Sequence, residues 1–522
     1  MAKSIYKSLI PLMAVVLALG GCTKNFEKIN TDPTSAPKVA SSILLTRGLI
    51  FTSGGEYEAW RANLIYCGPM IQHLSSLSLT YVGDKYLYND DYSGAAFNSF
   101  YPNATKTLAT LMTQSAANAG EKNYNAIARI ARIIVLQRLT DLYGDVPYSE
   151  ADKAYPDLVF LPKYDNQDAI YAGFAQELEQ AANDIDVNGT VAGDISGYNG
   201  TAAQWKKLAY SLMLRVGMRL SKKTDQTLAK QWVQKAVAGG VFTANEDIFY
   251  IQHAPGDYDN PNSHVIGVYP SSRAETGKDN LSIKLSKFFV DMLKSKGDPR
   301  LRIISELPKP DSTPGGSDVA AVQKGLPNGY DNSSDPVYGI GSTGDANLVH
   351  YSQPKQIIVQ PNSPNVFITY SEVQLMLAEA AARGWIAGDP VQYFITGVRS
   401  GIWQWSVYSS SIVYNDAAAT AYATTQSVAV AAGSLSAKLE AINTQYYITT
   451  FLNEYEAFAN WRRSGFPVLT PVNYKNNETN GQIPRRLRYP RGDYDVNRTN
   501  VEAANAHQGA DIFMTPVWWD KP

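Results

Sequence analysis

The sequence predicts a mainly α-helical protein whose helical hairpins bracket a long irregular insert. Three observations carry this. Apolar residues recur at helical spacing through most of the chain beyond Ser41. Two Thr-x-x-Gln/Glu signatures, Thr201–Gln204 and Thr369–Glu372, mark helix starts. Between about 249 and 364 the composition turns to Gly, Pro, Asn, Asp and Ser, interrupted by one short apolar run. Hairpins of this size suggest stacked pairs of the tetratricopeptide kind, although no clean period of about 34 residues is present.

Before the helices comes a different signal. Lys3 and Lys7 precede an apolar run from Leu9 to Leu19, followed by Gly20-Gly21-Cys22. The run is too short to span a bilayer. Small residues before a cysteine mark the cut made by lipoprotein signal peptidase, which needs an acylated thiol. Residues 1–21 are thus expected to be a signal peptide and Cys22 the lipidated residue. Residues 22–40, polar and carrying Pro33 and Pro37, read as a lipidated tether. Several acyl chains on one anchor give stable attachment where a single chain would not.

The helices then follow in order. One is predicted over 103–119. A second, over 123–143, has Ile127, Ile130, Ile134, Leu139 and Leu142 close to helical spacing and stops at Gly144, with Pro147 beyond. Residues 166–185 repeat the pattern with Ile170, Phe174, Leu178 and Ala181. The Thr201 signature opens a helix with Trp205, Leu208, Leu212 and Val216 on one face, and 225–238 follows, stopped by Gly239-Gly240. Leu281–Ser295 reads as a short helix within the insert. After the Thr369 start come 389–405, 417–432, 435–449 and 452–463. The last sixty or so residues read as loops.

Bulk properties exclude several functions. With 46 basic and 48 acidic residues and no dense basic stripe, nucleic acid is not an expected partner. If Cys22 is lipidated, Cys67 has no partner for a disulfide or a thiolate metal site. The five histidines are scattered and read as structural. Gly339–Gly344 matches the dinucleotide fingerprint but lacks the strand before and the helix after, so it reads as a turn. There is no nucleophile elbow, Walker loop or HExxH. Nothing fixes the separation of Asp90-Asp91 or of Glu454 and Glu456, as a glycosidase pair would require, and such adjacent acids belong on a surface. No enzyme is expected. The sole metal candidate is a weak calcium cluster of Asp257, Asp259 and Asn260, without the Gly and Glu of an EF-hand. No other cofactor is expected.

What stands out is aromatic: 33 Tyr and 9 Trp, side chains with a flat apolar face and a polar tip. Tyr81, Tyr86, Tyr88 and Tyr92 sit among Asp, Asn and Lys with no helical period. That mixture supplies stacking faces and hydrogen bonds for polyols, so these four are the candidate ligand-binding residues. Trp403 and Trp405 fall in a helix and read as core.

Several stretches together resemble the SusD/RagB family of nutrient-binding outer-membrane lipoproteins, in its SusD-like type two subgroup. They are Cys22 with NTDPTSAP (30–37), RLTDLYGDVPYSEA (138–151), GKDNLSIKLSKFFVDMLKSKGDPRL (277–301), KGLPNGYD (324–331), ITYSEVQLMLAEAAARGWI (368–386), ANWRRSGFPVL (459–469) and IPRRLRYP (483–490). The resemblance implies a single helical domain over 41–522, with tetratricopeptide-like helix pairs as scaffold and ligand-binding loops on one face. It implies a surface-exposed place on the outer membrane of a Bacteroidota-type bacterium. It also implies a SusC-like TonB-dependent transporter, over which the protein closes as a lid to deliver oligosaccharide or polysaccharide. A peptide ligand, as in the RagB-like branch, or a scaffold role without small ligand are the alternatives.

Overall fold

The computed structural model describes residues 39–154, 157–254, 283–309, 315–342, 346–360 and 362–522. Cys22, its signal and most of the tether lie outside the described residues, as do the calcium candidates Asp257, Asp259 and Asn260. No helix among the described residues is long and apolar enough to cross a membrane.

The predicted mainly α-helical architecture is what the chain adopts. α1 (Ser41–Ser53) packs on α3 (Lys106–Ala116) and α4 (Lys122–Tyr143), and α2 (Asp90–Phe100) precedes them. α4 is buried on nearly every side, with Ala128, Ile133 and Val135 covered as well as Ile127, Ile130 and Ile134, as befits a helix surrounded by others. It ends at Gly144, whose φ of 85° takes the chain into the left-handed region. A Cβ there would also lie 1.9 Å from Gln508 Oε1. α5 (Gln167–Asp184), α6 (Ala202–Arg219) and α7 (Thr227–Gly239) follow, each packed on its predecessor. Beyond the insert, with its short helix α8 (Lys287–Ser295), come α9 (Tyr370–Ala382), α10 (Pro390–Trp403), α11 (Leu435–Thr449) and α12 (Glu454–Ser464). α6 touches α9, and α12 touches α4, which joins the two helical sets.

The two predicted helix starts differ. Thr369 Oγ1 accepts from Glu372 N at 3.1 Å and Glu372 Oε1 accepts from Thr369 N at 3.1 Å, a complete capping box. Thr201 makes no side-chain cap; the Gln204 side chain that would reciprocate donates instead to Glu246 O. Leu281–Ser295 is not one helix. Ile283–Leu285 is strand β3, pairing antiparallel with β1 (Leu74–Ser76), and only then does Ser286 cap α8 by accepting from Phe289 N. The C-terminal sixty residues are not all loop either: Arg491–Val496 and Arg498–Gln508 are helical. Their polar faces gave no periodic signal, because Val501 and Ala504 are the main apolar residues they bury. Two more small sheets order the insert itself: β2 (Phe249–Ile251) with β7 (Asn365–Ile368) closes its two ends, and β5-β4-β6 (Gly316–Ser317, Ser305–Pro308, Gln353–Pro354) lies within it.

Buried ion pairs fasten the scaffold. Arg219 meets Glu456 at 2.6 Å and Asp141 at 3.2 Å, and Arg215 meets Glu372 at 2.8 Å. The Tyr446 hydroxyl lies within hydrogen-bond reach of both glutamates, at 3.0 and 2.9 Å. Arg463 holds Glu379 at 2.7 Å. Removing one partner from such a pair costs about 3–5 kcal/mol, because the other charge is stranded. Glu454 and Glu456 therefore are not surface acids: Glu456 serves the arginines, while Glu454 meets His73 at 2.6 Å in the core.

Candidate functional site: an aromatic cleft

A cleft of about 820 Å³ opens between α8, the 327–338 loop and the 470–473 loop. Its volume lies in the range of small-ligand sites. The α8 wall follows from helical geometry. Phe289, Val290 and Leu293 are buried, which turns Lys287, Phe288, Asp291, Met292 and Ser295 toward the opening. Lys287 and Asp291 form an i,i+4 ion pair along that edge.

The second wall is a loop held by side chains from beneath. Asn328 Nδ2 donates to Leu74 O at 2.8 Å, and Ser75 Oγ donates to Pro327 O at 2.9 Å. Gly329 N donates to Asp84 Oδ2 at 3.3 Å. Gly329 has φ of 81°, and a Cβ on it would lie 2.2 Å from Val472 Cγ1, so glycine is what lets this loop approach the third wall. Asp331 accepts from Ser333 N at 2.8 Å and from Tyr474 OH at 2.5 Å. Burial alone would raise its carboxyl, but the bonds from Ser333 and Tyr474 outweigh that and hold it below the usual range. Lys475 pairs with Asp335 at 2.8 Å, and that hydrogen bond, aided by the amides of Val337 and Tyr338, lowers the Asp335 carboxyl to about 2.

So supported, the loop presents two half-buried rings. Tyr330 packs against the small cluster of Leu77, Leu326, Ile340 and Tyr351. Tyr338 lies 4.9 Å from the Tyr474 ring. With Phe288 they line the cleft beside the aliphatic groups of Met292, Val337 and Val472, and the amides of Gln72, Asn328 and Asn473 complete the lining. Rings with a face toward solvent and amides at their edges bind by stacking and hydrogen bonding.

The four predicted tyrosines line no part of this cleft. Tyr81 and Tyr86 are 5 % and 1 % exposed and have no face to give a sugar. The Tyr81 hydroxyl accepts from Trp60 Nε1 at 3.2 Å, and the Tyr86 hydroxyl accepts from Val472 N at 3.2 Å. Tyr86 thus props the third wall from behind. Tyr88 is half-buried with the Arg488 guanidinium 3.9 Å from its ring centre, and Tyr92 is half-buried 6.5 Å from the Trp60 ring. The rings of the cleft, Phe288, Tyr330 and Tyr338, were not singled out from the sequence. Their signal was position: Tyr330 and Tyr338 lie in a run dominated by Gly, Asn, Asp, Pro and Ser.

The other candidates are structural. His253 Nε2 lies 2.8 Å from Ser53 Oγ, and burial lowers its imidazole to about 4. Burial pushes the Cys67 thiol up. Trp405 is buried, as predicted, whereas Trp403 is only half-buried. Among the described residues no three His, Cys, Asp or Glu side chains converge as metal ligands.

Comparison with known proteins places this geometry. A SusD-like family model, described as starch-binding associating with outer membrane, matches residues 36–490. Among solved structures, a chitin-binding protein is 32 % identical with a TM-score of 0.78, covering 92 % of this chain and 100 % of its own. A Bacteroidetes SusD-like protein is 25 % identical with a TM-score of 0.79, over 93 % and 100 % of the two chains. A chitin-binding SusD homolog from Flavobacterium johnsoniae shares the fold at 22 % identity and a TM-score of 0.73, over 92 % and 98 %. No curated protein matches the chain.

Proposed function

The chain belongs to the SusD-like family of outer-membrane-associated binding proteins, and from that premise we propose that it captures a chitin-type or related glycan in the cleft of Phe288, Tyr330 and Tyr338. The observation that carries the reading is the cleft itself: three half-covered rings around about 820 Å³, with amides between them. A pyranose ring lays its C–H face on an aromatic face and turns its hydroxyls to the rim. Gln72, Asn328 and Asn473 offer both donors and acceptors to those hydroxyls, or to an acetamido group. Met292, Val337 and Val472 suit the methyl of such a group. Stacking and hydrogen bonding involve no covalent step; this is a binding protein and not an enzyme.

In this reading Cys22 carries a lipid that keeps the domain at the outer membrane, facing outward. A SusC-like TonB-dependent transporter is the partner, and the domain acts as its lid. Tethering raises the local concentration of lid at transporter, so that a modest contact and a modest glycan affinity suffice for capture and release.

The test is affinity gel electrophoresis of the lipid-free protein, residues 24–522, through gels containing soluble chitin derivatives, starch, xylan or mannan. Retardation by one glycan, lost in Tyr330→Ala and Tyr338→Ala, is the expected result. Migration unaffected by every glycan would overturn the reading. The aliphatic wall and the Lys287–Asp291 pair favour a second reading, a peptide ligand, which a peptide library would reveal as binding lost in Met292→Ala and Lys287→Ala.

A further inference from the structure

Where the two helical sets meet, their packing leaves a cavity of about 20 Å³. α4 lines it with Gln137, Arg138 and Asp141, α6 with Arg215, and α12 with Tyr455 and Glu456. A space of this size takes one water-sized molecule and nothing larger. It is separate from the aromatic cleft and shares no lining residue with it.

Two buried donors on its walls have no acceptor among the described residues. Gln137 is 4 % exposed, and its Nε2 makes no hydrogen bond. Arg215 is 5 % exposed and turns Nη2 to Phe367 O and to Glu372, at 2.8 Å each. Its Nε stands 3.5 Å from Glu456 Oε2 and forms no hydrogen bond there. Folded proteins rarely leave a buried N–H unpaired, because it has given up water and gained nothing in exchange. Two such donors on one small cavity call for an occupant that accepts from both.

Charge decides what that occupant is. Arg138, Arg215 and Arg219 are the cations of this junction. Against them stand Asp141 and Glu456, both held by Arg219, and Glu372, held by Arg215. Glu58, whose carboxyl also interacts with Arg138, adds a fourth acid. An anion in the cavity would therefore face more carboxyls than guanidiniums. A metal cation would face two N–H groups, which repel it. A neutral molecule that accepts and donates meets neither objection. We propose that this cavity is the site of one fixed water molecule, accepting from Gln137 Nε2 and Arg215 Nε and donating to the carboxylates of Asp141 and Glu456. Four partners are what an internal water commonly has, and each carboxylate oxygen has lone pairs for more than one donor. Such a bridge is nearly as favourable as a direct hydrogen bond. It ties α4 to α6 and α12, so the join between the two helical sets is held by solvent as well as by ion pairs.

A crystal structure of the lipid-free protein, residues 24–522, tests this at a resolution that shows ordered water. One peak is expected within roughly 2.7–3.2 Å of both Gln137 Nε2 and Arg215 Nε. After a sodium bromide soak it should carry no anomalous signal. In solution, Gln137→Met takes away one donor and pushes an apolar end into the cavity, which should lower Tm by a few degrees. Density without a peak would mean a dry cavity, and an anomalous bromide peak would mean an anion site; either overturns the proposal. So does a Tm that Gln137→Met leaves unchanged or raises, as filling a dry cavity would. The crystallographic result stands whether or not the variant folds.

Discussion

Tyr81 and Tyr86 and, in another loop of similar polarity, Tyr330 and Tyr338 differ in cover: the first pair is buried and the second keeps a face open. The difference is the layer in which each loop lies. Outside Tyr86 runs the C-terminal stretch, whose Val472 N donates to the Tyr86 hydroxyl and whose Glu478 N donates to the Tyr86 carbonyl, at 3.2 Å each. Tyr338 lies in the outermost layer, with Tyr474 on one side and the cleft on the other. A ring between two layers is core, whatever the polarity of its sequence neighbours. In the cleft, the outer layer supplies the open rings and the inner one sets its shape.

The comparison can be broken by mutation. The largest effect is expected from Tyr86→Ala, which should cost about 3–5 kcal/mol, the range for large buried aromatics; urea unfolding measures it. Tyr338→Ala should stay within about 1.5 kcal/mol of wild type while losing glycan retention. If the two variants exchanged behaviour, the layering would be wrong.

Next in size is a pH effect on the inner structure. His253 is buried and neutral, its pKa lowered from 6.5 to about 4 by burial. The unfolded chain takes up this proton near 6.5 and the folded chain does not. Stability due to this group is thus full above 6.5 and declines as pH falls to about 4, by about 3 kcal/mol in all. His253→Gln should flatten that part of the stability–pH curve. A curve of unchanged slope would mean that the imidazole is not what titrates.

Gly329→Ala tests how closely the outer loop and the third wall must approach. The new Cβ has to displace Val472 and adopt an unfavourable φ. Glycan affinity should fall by about tenfold, or roughly 1.4 kcal/mol, by calorimetric titration. The smallest effect belongs to Tyr88→Ala. Losing the stack with Arg488 should cost about 0.5–1 kcal/mol and leave retention unchanged. Loss of retention in that variant would move the site back toward the 81–92 segment.

Much of the scaffold was legible in the sequence, since helix periodicity and end signals are local. Leu435–Thr449 runs to its predicted bounds, and Asn166, Asp389 and Gly144 sit at their helix ends. Ile283–Leu285 was misread because its pairing with Leu74–Ser76 joins residues some two hundred positions apart. Glu454 and Glu456 were misread for the same reason: their partners His73 and Arg219 are remote. The insert was recognisable as irregular, and its 308–364 part carries Tyr330 and Tyr338, which line the cleft. Which tyrosines face outward could not be read, because that depends on residues 470–478 crossing over Tyr86.

The three walls of the cleft come from residues 287–295, 327–338 and 470–473, with Gln72 between them. Translation delivers these pieces far apart in time. Gln72 leaves the ribosome early, and Val472 only when about nine-tenths of the chain has been made. A chain that stops short of Val472 therefore lacks the third wall of the cleft. The cleft is thus a product of the whole chain, assembled from segments far apart in the sequence.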